Sequence, residues 1–124
     1  MNNPTRFMDI YEYLSDNGID VYSPEQKLGE CTSPYVVVKN AGTSRYGQYS
    51  STRTLYYVMC YVPGDQYTKL EQYIEKVKEV LKGLYPMLRP TFSETPSYYD
   101  DSVKAHMVSI EYVVYRKLIG KGGK

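Results

Sequence analysis

The chain has 124 residues, enough for one domain with a real core, and its 15 Lys and Arg nearly cancel 14 Asp and Glu, leaving a formal charge of +1. That balance excludes a general attraction for nucleic acid or acidic membranes, and it favours self-association over mutual repulsion. Sixteen Tyr against two Phe and no Trp suit a molecule with much partly buried surface, because Tyr buries a ring while keeping a hydroxyl for a wet boundary.

The two cysteines, Cys31 and Cys60, make neither a disulfide framework nor a zinc-ligand spacing. Cys60 reads as a small core hydrophobe, and Cys31 as part of a loop in a reducing compartment. The N-terminal residues do not resemble a signal peptide, and no apolar run has the length to cross a bilayer. A soluble product of the cytoplasm is expected.

A first helix is expected with Asn3 as cap, Pro4 at the first helical position and Gly18 as the left-handed stop. Phe7, Ile10, Tyr11 and Leu14 give it one apolar stripe. Residues 19–22 read as a short extended segment, turned away at Ser23-Pro24. Residues 34–40 and 52–62 read as a strand pair. Along the second strand Leu55, Tyr57, Met59 and Tyr61 alternate with Tyr56, Val58, Cys60 and Val62. Both faces are apolar, so both need cover, one by helices and the other by something else, such as another subunit.

Between these strands lies Asn40 to Ser51, a polar stretch rich in Gly, Ser, Tyr and Arg that reads as a long loop. Hairpins usually turn in about two to five residues, and longer connections in compact domains are commonly functional. Tyr and Arg here suit docking.

After Pro63-Gly64, Asp65 is placed to cap a second helix over residues 66–84, with Tyr67, Leu70, Ile74, Val77, Leu81 and Leu84 at spacings of three and four. Residues 87–95 and 103–118 form the last strand pair, joined by 96–102. In the final strand Val108, Ile110, Tyr112 and Val114 face one way, Ser109 and Glu111 the other. Residues 120–124 read as a flexible basic tail after a single domain over 1–119. The fold class is α+β: an antiparallel or mixed sheet of four to five strands, two helices on one face, in the order α-β-β-β-α-β-β.

Catalytic constellations are absent from the sequence. His106 is the only histidine and has no neighbouring partner for acid–base work. Tyr99-Asp100-Asp101 reads as a solvated turn rather than a cation site. Neither phosphate-loop pattern occurs, nor a nucleophile elbow. No enzyme activity, cofactor or metal is expected. The binding candidates are Arg45, Tyr46, Tyr49 and Arg53, for contacts of the loop with a partner or a neighbouring subunit. Tyr56, Val58, Tyr112 and Tyr115 are the candidates for strand contacts between subunits. The same loop cluster has the residue types of a single-stranded nucleic-acid site, an alternative opposed by the near-zero charge and the lack of an RNA-binding signature.

Size, the helix before Gly18, the strands bracketing the 40–51 segment, the helix PGDQYTKLEQYIEKVKEVLKGL and the closing strand HMVSIEYVVYRKL together resemble the tail-terminator (tail-completion, minor tail) proteins of long-tailed phages and of phage-derived contractile particles. The resemblance implies a homo-hexameric ring on the last ring of a tail tube. It implies the tail-tube protein as partner, with sheath, collar or head-joining proteins beyond it, and no membrane or nucleic acid. It places the protein in the host cytoplasm during assembly and then in the particle. Another head–tail connector or neck protein is the near alternative.

Overall fold

The computed structural model describes residues 5–45, 47 and 51–117. In chain order these form α1 (Phe7–Asp16), β1 (Val21–Tyr22), β2 (Tyr35–Arg45), β3 (Ser51–Pro63), α2 (Leu70–Leu81), β4 (Arg89–Glu94), β5 (Tyr98–Asp100) and β6 (Ala105–Lys117). Short 3₁₀ turns, Tyr67–Lys69 and Lys82–Leu84, flank α2. One six-stranded mixed sheet runs β1-β2-β3-β6-β4, with β5 also paired on β6. Only β1–β2 is parallel. This is the expected α+β class. The two-residue β1 lies in the expected extended segment 19–22, and the three-residue β5 is additional, falling where a connection was expected.

Helix α1 starts at Phe7 rather than after Asn3. Arg6 is its extended N-cap, and its N–H donates to Asp9 Oδ2 at 2.8 Å, the carboxylate arm of a capping box. Asn3 and Pro4 lie outside the described residues, as does the expected tail at 120–124. At the other end Gly18 takes φ +82°, which brings Ile19 N–H onto the Leu14 carbonyl at 3.0 Å.

Asp65 does not cap α2; the chain enters it through the 3₁₀ turn, and no side chain caps it. Leu70, Ile74, Val77 and Leu81 form its buried stripe, as their spacing predicts. Tyr67 leaves the stripe and is 53 % exposed, because the three-residue period of the 3₁₀ turn rotates it off the seam.

Both helices pack on one face of the sheet. Register sets rows across β2, β3 and β6: Val36–Cys60–Val108, Val38–Val58–Ile110, then Tyr56–Tyr112. Ile10 and Leu14 of α1 and the α2 stripe close over these rows. Each fully buried aliphatic side chain here contributes on the order of 1.5–3 kcal/mol relative to exposure.

The opposite face carries Tyr35–Tyr61–Met107, Val37–Met59–Ser109, Lys39–Tyr57–Glu111, Leu55–Val113 and Arg53–Tyr115. No helix of the described residues lies on it. The β1–β2 connection covers one end, where Cys31, Tyr35, Val37 and Ala105 form a small second cluster. Lys27 Nζ sits 5.7 Å from the centres of both the Tyr22 and Tyr35 rings, and Cys31 N–H donates to the Val103 carbonyl at 2.7 Å. Further along, Leu55 and Met59 are half-buried, and Tyr57 and Tyr115 are exposed. Among the described residues, no helix is long and apolar enough to cross a membrane.

Candidate functional site: an arginine-rich end and a helix-free tyrosine face

The polar stretch after Asn40 is not a twelve-residue loop. β2 and β3 stay paired through Gly42↔Leu55, Thr43↔Thr54 and Ser44↔Arg53 to Arg45↔Thr52, leaving only residues 46–50 as the connection. A bulge between Asn40 and Gly42 admits the polar half of β2. Gly42 takes φ +112°, and its N–H donates to Asn40 Oδ1 at 2.7 Å. The Thr43 and Thr54 hydroxyls are 2.7 Å apart across the ladder. Thr at both positions favours the pleat, and a ribbon wet on its outer side needs no apolar alternation to be a strand.

Of the four loop candidates, Arg45 and Arg53 are described; Tyr46 and Tyr49 lie outside the described residues. Because side chains alternate along a strand, Arg45 and Arg53 take opposite faces. Arg45 shares a row with Thr52 and Arg116 on the helix side, whereas Arg53 lies beside Tyr115 on the helix-free side. Arg53 Nε donates to Ser44 Oγ at 3.4 Å.

The fold adds arginines that sequence proximity does not group. Arg116 arrives from β6 through its pairing with Thr52, and Arg6 from the start of α1. Both act on Tyr56: burial pushes its phenol up, while Arg116 and Arg6 pull the other way. Arg89 is held one strand out by pairing with Val113, donating from Nε to the Pro86 carbonyl at 3.1 Å. Its guanidinium lies 5.6 Å from the centre of the Tyr85 ring. The five arginines of the sequence therefore all occupy one end of the sheet. Every ion pair among the described residues uses a lysine instead: Lys78 with Glu75 and Glu94, Lys82 with Glu79, and Lys104 with Asp101. Arg116 Nε is buried without a hydrogen-bond partner.

Three of the four residues expected at subunit contacts are corrected. Tyr56, Val58 and Tyr112 are 3 %, 0 % and 4 % exposed and belong to the core beneath the helices. The period of two along β3 could not say which of its two apolar faces the helices take. Tyr115 does lie on the helix-free face, at 42 % exposure.

Elsewhere, His106 Nε2 is 3.1 Å from the Gly64 carbonyl, its ring between Tyr67 and Tyr99 at 4.8 and 5.2 Å. An apolar cleft of about 310 Å³ lies between the end of α2 and β4, over Leu81, Leu88 and Ile110, with Tyr85 and Phe92 at its rim. Both cysteines are buried free thiols, and burial pushes Cys60 up to about 12. Among the described residues no group of three or more His, Cys, Asp or Glu is placed to hold a metal ion.

What this end of the molecule offers is a set of rigid cationic forks, split over two faces of a three-strand ribbon, beside partly exposed tyrosines. That chemistry suits charge-assisted hydrogen bonds to carboxylates or phosphates. Compared with known proteins, the chain matches no family model and no curated sequence.

Proposed function

We propose that this protein is a structural assembly subunit that forms a homo-oligomeric ring, a hexamer by its resemblance to tail terminators, on the end of a phage-type tail tube. The ring stops tube growth and presents a joining surface for head or collar. The observation that carries the reading is the helix-free sheet face. One end of it is covered by the chain's own β1–β2 connection, against which Met59 packs, but Leu55, Tyr57 and Tyr115 continue past that cover as a half-exposed apolar and aromatic band. Tyr-rich bands of this kind are used at protein interfaces, where the ring is buried and the hydroxyl remains wet. An α+β domain is compatible with that resemblance.

The reading makes the protein part of a particle rather than an enzyme, with its own copies and the tail-tube protein as partners. Polymerising the tube protein of the same particle with and without this chain tests it. Shortened tubes bearing a ring of added density at one end are expected; an unchanged length distribution with bare ends removes the proposal.

A further inference from the structure

The near-zero net charge conceals a molecule with two oppositely charged ends. β6 runs from Ala105 to Lys117, about 40 Å at ~3.3 Å per residue. At its far end stand Arg45, Arg53 and Arg116 with Lys117, joined by Arg6 and Arg89; among the described residues Asp9, which accepts the Arg6 N–H, and Glu111, which accepts from the Thr91 hydroxyl two positions from the Arg89 row, are carboxylates beside them. At its near end stand Glu30, Asp65 and Lys104, which line one shallow hollow, together with Asp100, Asp101 and Asp20. Three lysines stand among them: Lys104 Nζ lies 3.3 Å from Asp101 Oδ1, Lys27 over two tyrosine rings, and Lys69 on the 3₁₀ turn beside Asp65. Carboxylates therefore outnumber cations at the near end, and at the far end the arginines make no ion pair among the described residues.

We propose that the far, arginine-rich end docks on the near, acidic end of a second copy of this chain. The inference rests on the self-assembly reading above and adds to the helix-free face an end-to-end contact between copies. Charge complementarity is the argument. Five guanidinium forks meet no carboxylate within ion-pair reach among the described residues, and the chemistry they fit is displayed at the opposite end of the same molecule. A nucleic acid would satisfy the arginines but leave the acidic end without a role. Unlike ends make the contact heterologous, so successive copies close into a ring when the rotation between them permits. The contact is also salt-sensitive, since the screening length falls from about 10 Å at 0.1 M to about 3 Å at 1 M.

Sedimentation velocity on the full chain tests this, with two double variants at exposed sites. Arg45→Glu with Arg53→Glu cancels most of the charge of one end, and Asp65→Lys with Asp101→Lys that of the other; circular dichroism checks that both fold. The wild type associates at 0.1 M salt and dissociates at 1 M. Each double variant alone associates on the order of tenfold or more weakly, as expected for losing two or more exposed pairs. Their equimolar mixture regains association, because the intact basic end of one partner meets the intact acidic end of the other. Variants that associate as tightly as wild type overturn the end-to-end contact while leaving ring formation through another face intact. A wild type that stays monomeric in both salts overturns it too, and the tube-length experiment then decides separately on the terminator reading. A monomer that instead retains a labelled oligonucleotide at 0.1 M through Arg45 and Arg53 assigns the arginines to phosphate and also ends the proposal.

Discussion

Tyr57 and Val58 are neighbours in β3 that the pleat sends to opposite faces, and substituting each in turn separates what holds the domain together from what, in the proposed assembly, would join subunits. Val58 is 0 % exposed in the row Val38–Val58–Ile110, whereas Tyr57 is 36 % exposed beside Lys39 and Glu111. Val58→Ala removes two buried carbons, worth about 1.6 kcal/mol of transfer free energy. An uncollapsed cavity adds roughly 1 kcal/mol. A cost of about 2–3 kcal/mol in a domain of this size lowers Tm by roughly 6–15 °C. Tyr57→Thr keeps strand propensity and empties no core site, so its stability change stays within about 1 kcal/mol. Thermal unfolding followed by circular dichroism, with light scattering at 20 °C, reads both effects. Val58→Ala is expected to melt early yet associate normally while folded, and Tyr57→Thr to melt near wild type yet associate more weakly. The reverse pattern, with Val58→Ala unaffected in Tm but impaired in association, would refute the placement of the helices.

Alkaline pH is expected to destabilise the fold. Burial raises Cys60 and Tyr61 to about 12 from usual values of 9 and 10, so their neutral forms are favoured in the folded state. That stability is intact below pH 9 and is lost progressively as pH climbs toward 12; a urea midpoint that stays flat from pH 9 to 11.5 would contradict it. Gly18→Ala is expected to cost about 1 kcal/mol in chemical unfolding through backbone strain alone, since φ is +82° and a methyl there meets no atom within 4 Å. Phe92 is 89 % exposed with φ +68°, at the register shift of β4. Phe92→Gly relieves that conformation without opening the core, so its unfolding midpoint equals or exceeds that of wild type, and a loss above 1 kcal/mol would show that the ring packs on something.

Periodicity made the helix stripe Leu70, Ile74, Val77 and Leu81 legible, along with the inward set Val108, Ile110, Tyr112 and Val114, because one buried face leaves a regular mark. The same logic failed where a strand is wet on one side. Thr43, Ser44, Arg45 and Ser51 look like loop residues by polarity, and only their pairing shows them as ladder. Asp65 looked like a cap because its residue type fits, but the 3₁₀ entry to α2 moved the helix start away from it. The arginine end was half legible. Arg45 and Arg53 are close in sequence, whereas Arg6, Arg89 and Arg116 are brought to them by register and by the start of α1. No local pattern encodes that convergence. A usable sign did exist in the composition: all five cations of the guanidinium type fall outside the charged helix 66–84, where lysines take the i,i+3 ion pairs.

The most direct test of the account is the mass of the chain in dilute buffer, measured by light scattering after size exclusion, alone and with purified tail-tube protein. A closed oligomer, or a monomer that becomes a ring on short capped tubes, is the predicted result. A monomer that ignores the tube protein at every concentration would contradict it.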